Sequence, residues 1–138
     1  MEEANLTRIW NRATTDAAPE RPGDQALHDA LRVHGQIMNA GLLSALDYID
    51  YEDIERGAAG FEYLGMQQEA ATLRTALELA FPDGPVPADE REDHTLGLPR
   101  PVLERIEGEL EEAYDFEDAL YEAFVRAYRD RPGDFAPV

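Results

Sequence analysis

Apolar residues in this chain recur at the spacing of an α-helix, and this feature constrains the fold more than any other. In the segment 2–13 they occupy positions i, i+3, i+4 and i+7, which lie on one face of a helix. These residues are Leu6, Ile9, Trp10 and Ala13. Alternating runs typical of half-buried strands are scarce. The pattern predicts an all-α fold, a compact single domain of about six or seven helices.

A second helix is predicted to begin at Asp24, because an aspartate is a good N-cap, and to run to about Asn39. Ala40-Gly41 marks a turn, and another apolar stretch follows directly over 42–49. The segment 14–23 carries two prolines, as a linker does. We therefore divide the chain into an N-terminal helix with its linker, residues 1–23, and an acidic helical domain, residues 24–138.

Two glycines lie within the otherwise helical segment 50–63. A glycine inside a helix costs about 1 kcal/mol relative to alanine. Gly57 and Gly60 therefore predict either close packing of another backbone or a kink. A strong Ala-rich helix is expected over 67–81.

The segment 82–101 contains five prolines and an acidic run, and it is predicted as the one long loop of the chain. Loops of this length are often functional. The segment 102–129 is predicted to be helical, as two helices. Asp115 and Asp118 resemble a capping box at the start of the second one.

The charge balance excludes several classes of partner. The chain has thirty acidic residues and only twelve basic ones, all of them arginine, so its net charge is −18. Binding to nucleic acid requires clustered cations, so we expect no direct binding to nucleic acid and none to an anionic membrane. A cationic protein remains a possible partner. The acidic start of the chain and its short apolar runs predict a cytoplasmic protein without a signal peptide or a membrane span.

No residue pattern indicates catalysis. The chain has no cysteine, and its one serine, Ser44, does not lie in a nucleophile elbow. His28 and His34 are six residues apart and cannot bind one metal from the same helix face. His94 follows the acids 89–93, and a metal-dependent hydrolase using this loop is the least favoured alternative. We therefore expect no enzymatic activity, no cofactor and no metal.

An acidic stripe is predicted near the C-terminal end. The segment Glu104–Glu122 holds nine acids and one arginine. On a continuous helix, six of the acids fall on one narrow face at intervals of roughly 4.5–6 Å, close to the spacing of phosphates on a DNA strand. They are Glu104, Glu107, Glu111, Asp115, Asp118 and Glu122. Like charges at i+3 and i+4 repel each other, which favours selection for a cationic partner. A merely solubilising acidic face is the alternative.

A secondary acidic patch is predicted before and within the segment 50–63. Its members are Asp47, Asp50, Glu52, Asp53 and Glu55. A calcium loop beginning at Asp50 is excluded, because Glu55 occupies the sixth position, where such loops require glycine.

Three stretches of this sequence resemble a bacterial family of DNA-mimic proteins, also known as a domain of unknown function. The stretch 34–43, HGQIMNAGLL, is similar to the family's Asn-Gly-Gly-aromatic turn. The stretch 60–71, GFEYLGMQQEAA, is similar to its glycine-containing segment before an Ala-rich helix. The stretch 110–135 has its acidic Tyr-containing helix, its amphipathic helix and its closing Pro-Gly-Asp-Phe.

The resemblance covers about residues 24–136. It implies an acidic all-helical fold and a dimer that occupies the DNA-binding surface of a transcription regulator. Five aromatic residues near the C-terminal end also favour a homodimer if one core cannot bury them all. They are Tyr114, Phe116, Tyr121, Phe124 and Tyr128.

The predicted function is therefore a non-catalytic inhibitor or regulator whose acidic face binds a basic DNA-binding protein. The alternative from another class is an immunity protein that neutralises a cationic toxin. A toxin gene immediately upstream would favour that alternative.

Overall fold

Helices supply the regular secondary structure in the computed structural model, which describes residues 2–114 and 119–138. The helices are α1 (Glu2–Ala13), α2 (Pro22–Ala40), α3 (Leu42–Tyr48), α4 (Tyr51–Tyr63), α5 (Gln67–Ala80), α6 (Ala88–Leu96), α7 and α8 (Ala119–Asp130). Helix α7 is an α-helix over Arg100–Glu104, a π-helix over Arg105–Leu110 and an α-helix again over Glu111–Ala113. A 3-10 turn, Pro132–Asp134, follows α8. The described ranges contain no strand, which confirms the predicted all-α fold with one helix more than expected.

Helices α2 and α4 pack against each other with almost no space between them. A Cβ atom on Gly57 would lie 2.5 Å from Cγ2 of Val33, and one on Gly60 would overlap the carbonyl oxygen of Ala26. Both glycines are buried, and α4 continues through them as a single helix. The close packing predicted from their spacing is confirmed.

The N-terminal helix shares one core with the rest of the chain. Leu6 and Ile9 are buried in the same cluster as the side chains of α2 to α5. The Trp10 ring lies 5.2 Å from the ring of Tyr121 and 5.7 Å from that of Phe124, both on α8. Helix α1 therefore packs on the same core as helices α2 to α5.

Asp24 is not the N-cap of α2, and this prediction was wrong. The helix begins two residues earlier at Pro22, because a proline is well suited to the first helical turn. Asp24 is buried, and its carboxylate accepts hydrogen bonds from Nη2 of Arg12 and from the backbone N–H of Ala136, both at 2.8 Å. It joins α1, α2 and the C-terminal segment.

The segment predicted as a long loop contains helix α6, and that prediction was also wrong. Its prolines flank the helix instead of interrupting it: Pro87 precedes the first residue and Pro99 follows the last turn. Asp89 and Glu90 lie in the first turn, where their negative charges complement the helix dipole.

Most of the C-terminal aromatic residues that favoured a homodimer pack inside the chain. Tyr114 and Phe124 are buried, Tyr128 is half-buried, Tyr121 is 37% exposed, and Phe116 lies outside the described residues. Among the described residues there is therefore no broad aromatic patch that would support a homodimer. The homodimer stays a prediction.

Candidate functional site

The structure divides the predicted acidic stripe. It places Glu104, Glu107 and Glu111 on α7 and Glu122 on α8, while Asp115 and Asp118 lie outside the described residues. The chain leaves the helical conformation at Tyr114, where φ is −79° and ψ is 130°. Two helices over the segment 102–129 were predicted, and this is confirmed; the acids of α7 and α8 therefore do not form the stripe of one continuous helix.

The π-helical part of α7 also changes the direction of its carboxylates. A π-helix takes more residues per turn than an α-helix, so side chains beyond it are rotated relative to an ideal α-helix. Glu104 and Glu107 are exposed, whereas Glu111 is half-buried.

The carboxylate of Glu111 serves the fold. Its Oε1 accepts a hydrogen bond of 2.7 Å from the backbone N–H of Leu42, the first residue of α3. Helix N-termini carry N–H groups without a partner in the helix and a partial positive charge. Gly41 gives the carboxylate room, because a Cβ at this residue would lie 2.6 Å from the same Oε1. Its φ of +96° favours glycine as well. Glu111 therefore caps α3.

The other two stripe residues on α7 face solvent. Glu104 forms an exposed ion pair of 3.0 Å with Arg100, an interaction that contributes roughly 0.3–0.5 kcal/mol. Glu107 makes no ion pair or side-chain hydrogen bond with the residues that the structure describes. Glu122 on α8 is exposed in the same way.

A groove with a volume of about 710 Å³ lies beside α7, between the end of α2, α3 and the end of α6. Its most exposed apolar residues are Met38, Tyr48 and Leu96, which are 49%, 72% and 71% exposed. The carboxylates of Asp47, Glu107 and Glu111 also line it. Among the described residues, no arginine or lysine lines this groove. We call it the α3–α7 groove.

Helix α6 is fixed against α3 by polar contacts at this groove. The Thr95 hydroxyl is buried and donates to Oδ1 of Asp47 at 3.2 Å. Nε of Arg91 donates to the carbonyl oxygen of Asp47 at 2.6 Å, and its Nη1 lies 2.8 Å from Oδ1 of Asp50. The contacts hold Leu96, the last residue of α6, at the groove wall. Because this helix was predicted as a loop, the groove could not be predicted either.

The predicted secondary patch is partly neutralised. Arg91 holds the pKa of Asp50 below its usual range through a hydrogen bond and its positive charge. Asp53 pairs with Arg32 at 3.1 Å and with Arg56 at 2.7 Å. Of the remaining members, Glu52 and Glu55 are exposed and Asp47 is half-buried in the α3–α7 groove.

Each histidine has a contact within the fold. Nδ1 of His28 lies 3.0 Å from the carbonyl oxygen of Ala13, and Nδ1 of His34 lies 2.7 Å from the Tyr114 hydroxyl. His94 is stacked on Phe81 with 5.1 Å between ring centroids. Within residues 2–114 and 119–138, no three acidic or histidine side chains are grouped so that they could hold a metal ion. In the same ranges, no helix has the length and apolar character needed to cross a membrane.

The DMP19-like protein family matches residues 20–128. The chain belongs to this family. The DMP19-like match extends from just before α2 to near the end of α8, so it includes the α3–α7 groove and the acids of α7. Neither the curated proteins nor the solved structures gave a match to the chain.

Two of the stretches that carried the predicted resemblance have structural roles in this DMP19-like chain. Gly41 ends α2 and makes room for the cap on α3, while Gly60 lets α4 lie against α2. These two glycines therefore position α2, α3 and α4 within the matched segment.

Proposed function

We propose that this DMP19-like protein is a non-catalytic regulator that binds the basic surface of a DNA-binding protein in place of DNA. The family membership supports the proposal, and the resemblance described above implies this manner of binding. The acidic surface would occupy the positions of the DNA phosphates.

The observation that carries the proposal is the way the fold uses its few cations. Arg12 binds Asp24 on α2, Arg91 binds Asp50 just before α4, and Arg129 on α8 pairs with Glu2 on α1 at 2.7 Å. Several exposed acids of α6 and α7 consequently have no ion pair with any described residue. They are Asp89, Glu90, Glu92, Asp93, Glu107 and Glu112.

Such a surface acts on partners over a distance. At a net charge of −18 the field repels DNA and attracts cationic surfaces, and it accelerates the encounter with them. Binding should therefore weaken steeply as salt shortens the Debye length to about 8 Å at physiological ionic strength.

The experiment is capture followed by competition. The immobilised protein is used to capture proteins from a lysate of its host, and each captured protein is purified. Its binding to this chain is then measured with and without duplex DNA. We expect a DNA-binding protein that DNA displaces. Simultaneous binding of DNA and this chain would refute the proposal, and capture of a cationic toxin would favour the immunity function.

Charge reversal locates the binding face. Glu104→Arg with Glu107→Arg should slow association about tenfold at low salt, and the effect should shrink as salt rises. The matched control is Glu3→Arg with Asp16→Arg, which changes the net charge equally at exposed residues outside the family match. Equal loss in both variants would show that the acids of α7 have no special role.

A further inference from the structure

We propose that the α3–α7 groove binds an amphipathic cationic helix, one whose apolar residues are bordered by arginine or lysine. This proposal rests on the proposed function, which supplies the cationic partner. It adds the kind of structural element that this chain recognises in that partner.

Exposed apolar side chains are concentrated at the groove. Among the described residues, five large apolar side chains are substantially exposed, and three of them, Met38, Tyr48 and Leu96, line this groove. The other two are Tyr121, which contacts Trp10, and Val138 at the C-terminal end. Contiguous exposed apolar surface bordered by polar residues marks sites of protein binding.

The shape of the groove suits a helix. Its walls are helices α2, α3, α6 and α7, and no strand edge in the described ranges is available to pair with an extended peptide. A helix seats its apolar side chains at i, i+3, i+4 and i+7 in grooves of this kind.

The charges of the groove select the sign of that helix. Asp47, Glu107 and Glu111 line it without an accompanying arginine or lysine among the described residues. Glu107 is exposed and has no described ion-pair partner, so a cation at the rim of the groove gains a charge-assisted hydrogen bond. A second copy of this chain would instead bring further negative charge to the groove, so we assign it to a cationic partner.

The test uses an 18-residue peptide with leucine at helical spacing and arginine elsewhere, labelled for fluorescence anisotropy. A peptide of the same composition in scrambled order is the control for charge alone. We expect the amphipathic peptide to bind at least tenfold more tightly than the scrambled one at 0.5 M salt, where electrostatic attraction is largely screened.

The decisive variant is Leu96→Glu. It adds negative charge, so attraction by charge alone would strengthen peptide binding, whereas binding in the groove would weaken by about tenfold. Met38→Glu tests the opposite wall with the same expectation. Val138→Glu is the matched control, because Val138 is an exposed apolar residue that does not line the groove. This change should not weaken binding. All three changes are at exposed side chains, and circular dichroism checks that each variant is folded.

Two results would overturn the proposal. One is unchanged or tighter binding of the amphipathic peptide to both groove variants. The other is a wild-type dimer in sedimentation that Leu96→Glu converts to a monomer, because a second copy would then occupy the groove. Displacement of a captured partner by DNA tests the proposed function without the peptide, so the two proposals can fail independently.

Discussion

Removing the carboxylate of Glu111 should destabilise the protein, although it also removes a charge from a strongly acidic chain. The Glu111→Ala variant leaves the backbone N–H of the fully buried Leu42 without its acceptor. Loss of an N-terminal cap costs roughly 0.5–2 kcal/mol, and an unsatisfied buried donor costs about 1–3 kcal/mol. Since these two costs describe the same lost hydrogen bond, we expect a total of about 1–3 kcal/mol.

Thermal unfolding followed by circular dichroism measures this effect. For a chain of this length, 1 kcal/mol corresponds to roughly 3–4 °C, so the midpoint should fall by about 3–12 °C. Glu111→Gln keeps an oxygen acceptor without the charge and should lose less.

The matched control is Glu107→Ala, four residues earlier on the same helix. Glu107 is exposed and has no described partner, so its removal should change stability by less than about 0.5 kcal/mol. Equal midpoints for the Glu111→Ala and Glu107→Ala variants would refute the assignment of Glu111 as the cap of α3.

Three further predictions concern packing, pH and salt. Gly60→Ala should lower the free energy of unfolding by about 1–3 kcal/mol or more in denaturant titration, because the new Cβ would overlap Ala26. Gly35→Ala is the control: its new Cβ would meet nothing within 4 Å, so it should raise the free energy of unfolding by roughly 0.5–1 kcal/mol. An unchanged free energy of unfolding in Gly60→Ala would contradict the close packing of α2 and α4. Burial and a hydrogen bond to Asp134 raise the pKa of Tyr63 to about 12, so the folded state holds this proton more tightly and wild-type stability should fall between about pH 10 and 12. Tyr63→Phe should lose less stability over that range, and parallel curves would exclude the effect. Because the net charge is −18, raising salt from low to moderate concentration should raise the melting midpoint, and a flat or falling midpoint would contradict net repulsion.

The sequence predicted the helices best where apolar periodicity and local signals agree. Helix α1 lies where the spacing placed it, and Gly57 and Gly60 correctly indicated close backbone packing. The prediction for Asp24 was wrong because an aspartate two residues after a proline fits both an N-cap and a first turn. Which of the two it becomes depends on Arg12 and Ala136, which are distant in sequence.

The candidate site was less predictable, because its geometry depends on contacts between helices. The spacing of Glu104, Glu107 and Glu111 predicted that all three lie on one binding face. Glu111 differs from the other two because α3 lies beside it and Leu42 donates a hydrogen bond to its carboxylate. The α3–α7 groove could not be predicted from the sequence. One of its lining residues, Leu96, lies on α6, whose apolar residues show only weak helical periodicity.

The π-helical stretch of α7 separates two roles of this helix: its first acids face solvent, and Glu111 after the stretch caps α3. A π-turn is equivalent to one extra residue inserted into an α-helix. A Cβ at Gly108 would meet nothing within 4 Å, so this position tolerates change. Deleting Gly108 should remove the extra residue and leave a regular α-helix in which Glu111 still faces Leu42. The extra residue therefore gives Glu111 a direction relative to Glu104 and Glu107 that an unbroken α-helix of the same sequence would not give. Substitutions at Glu104 and Glu107 can alter what the surface binds while the anchoring of α3 stays constant.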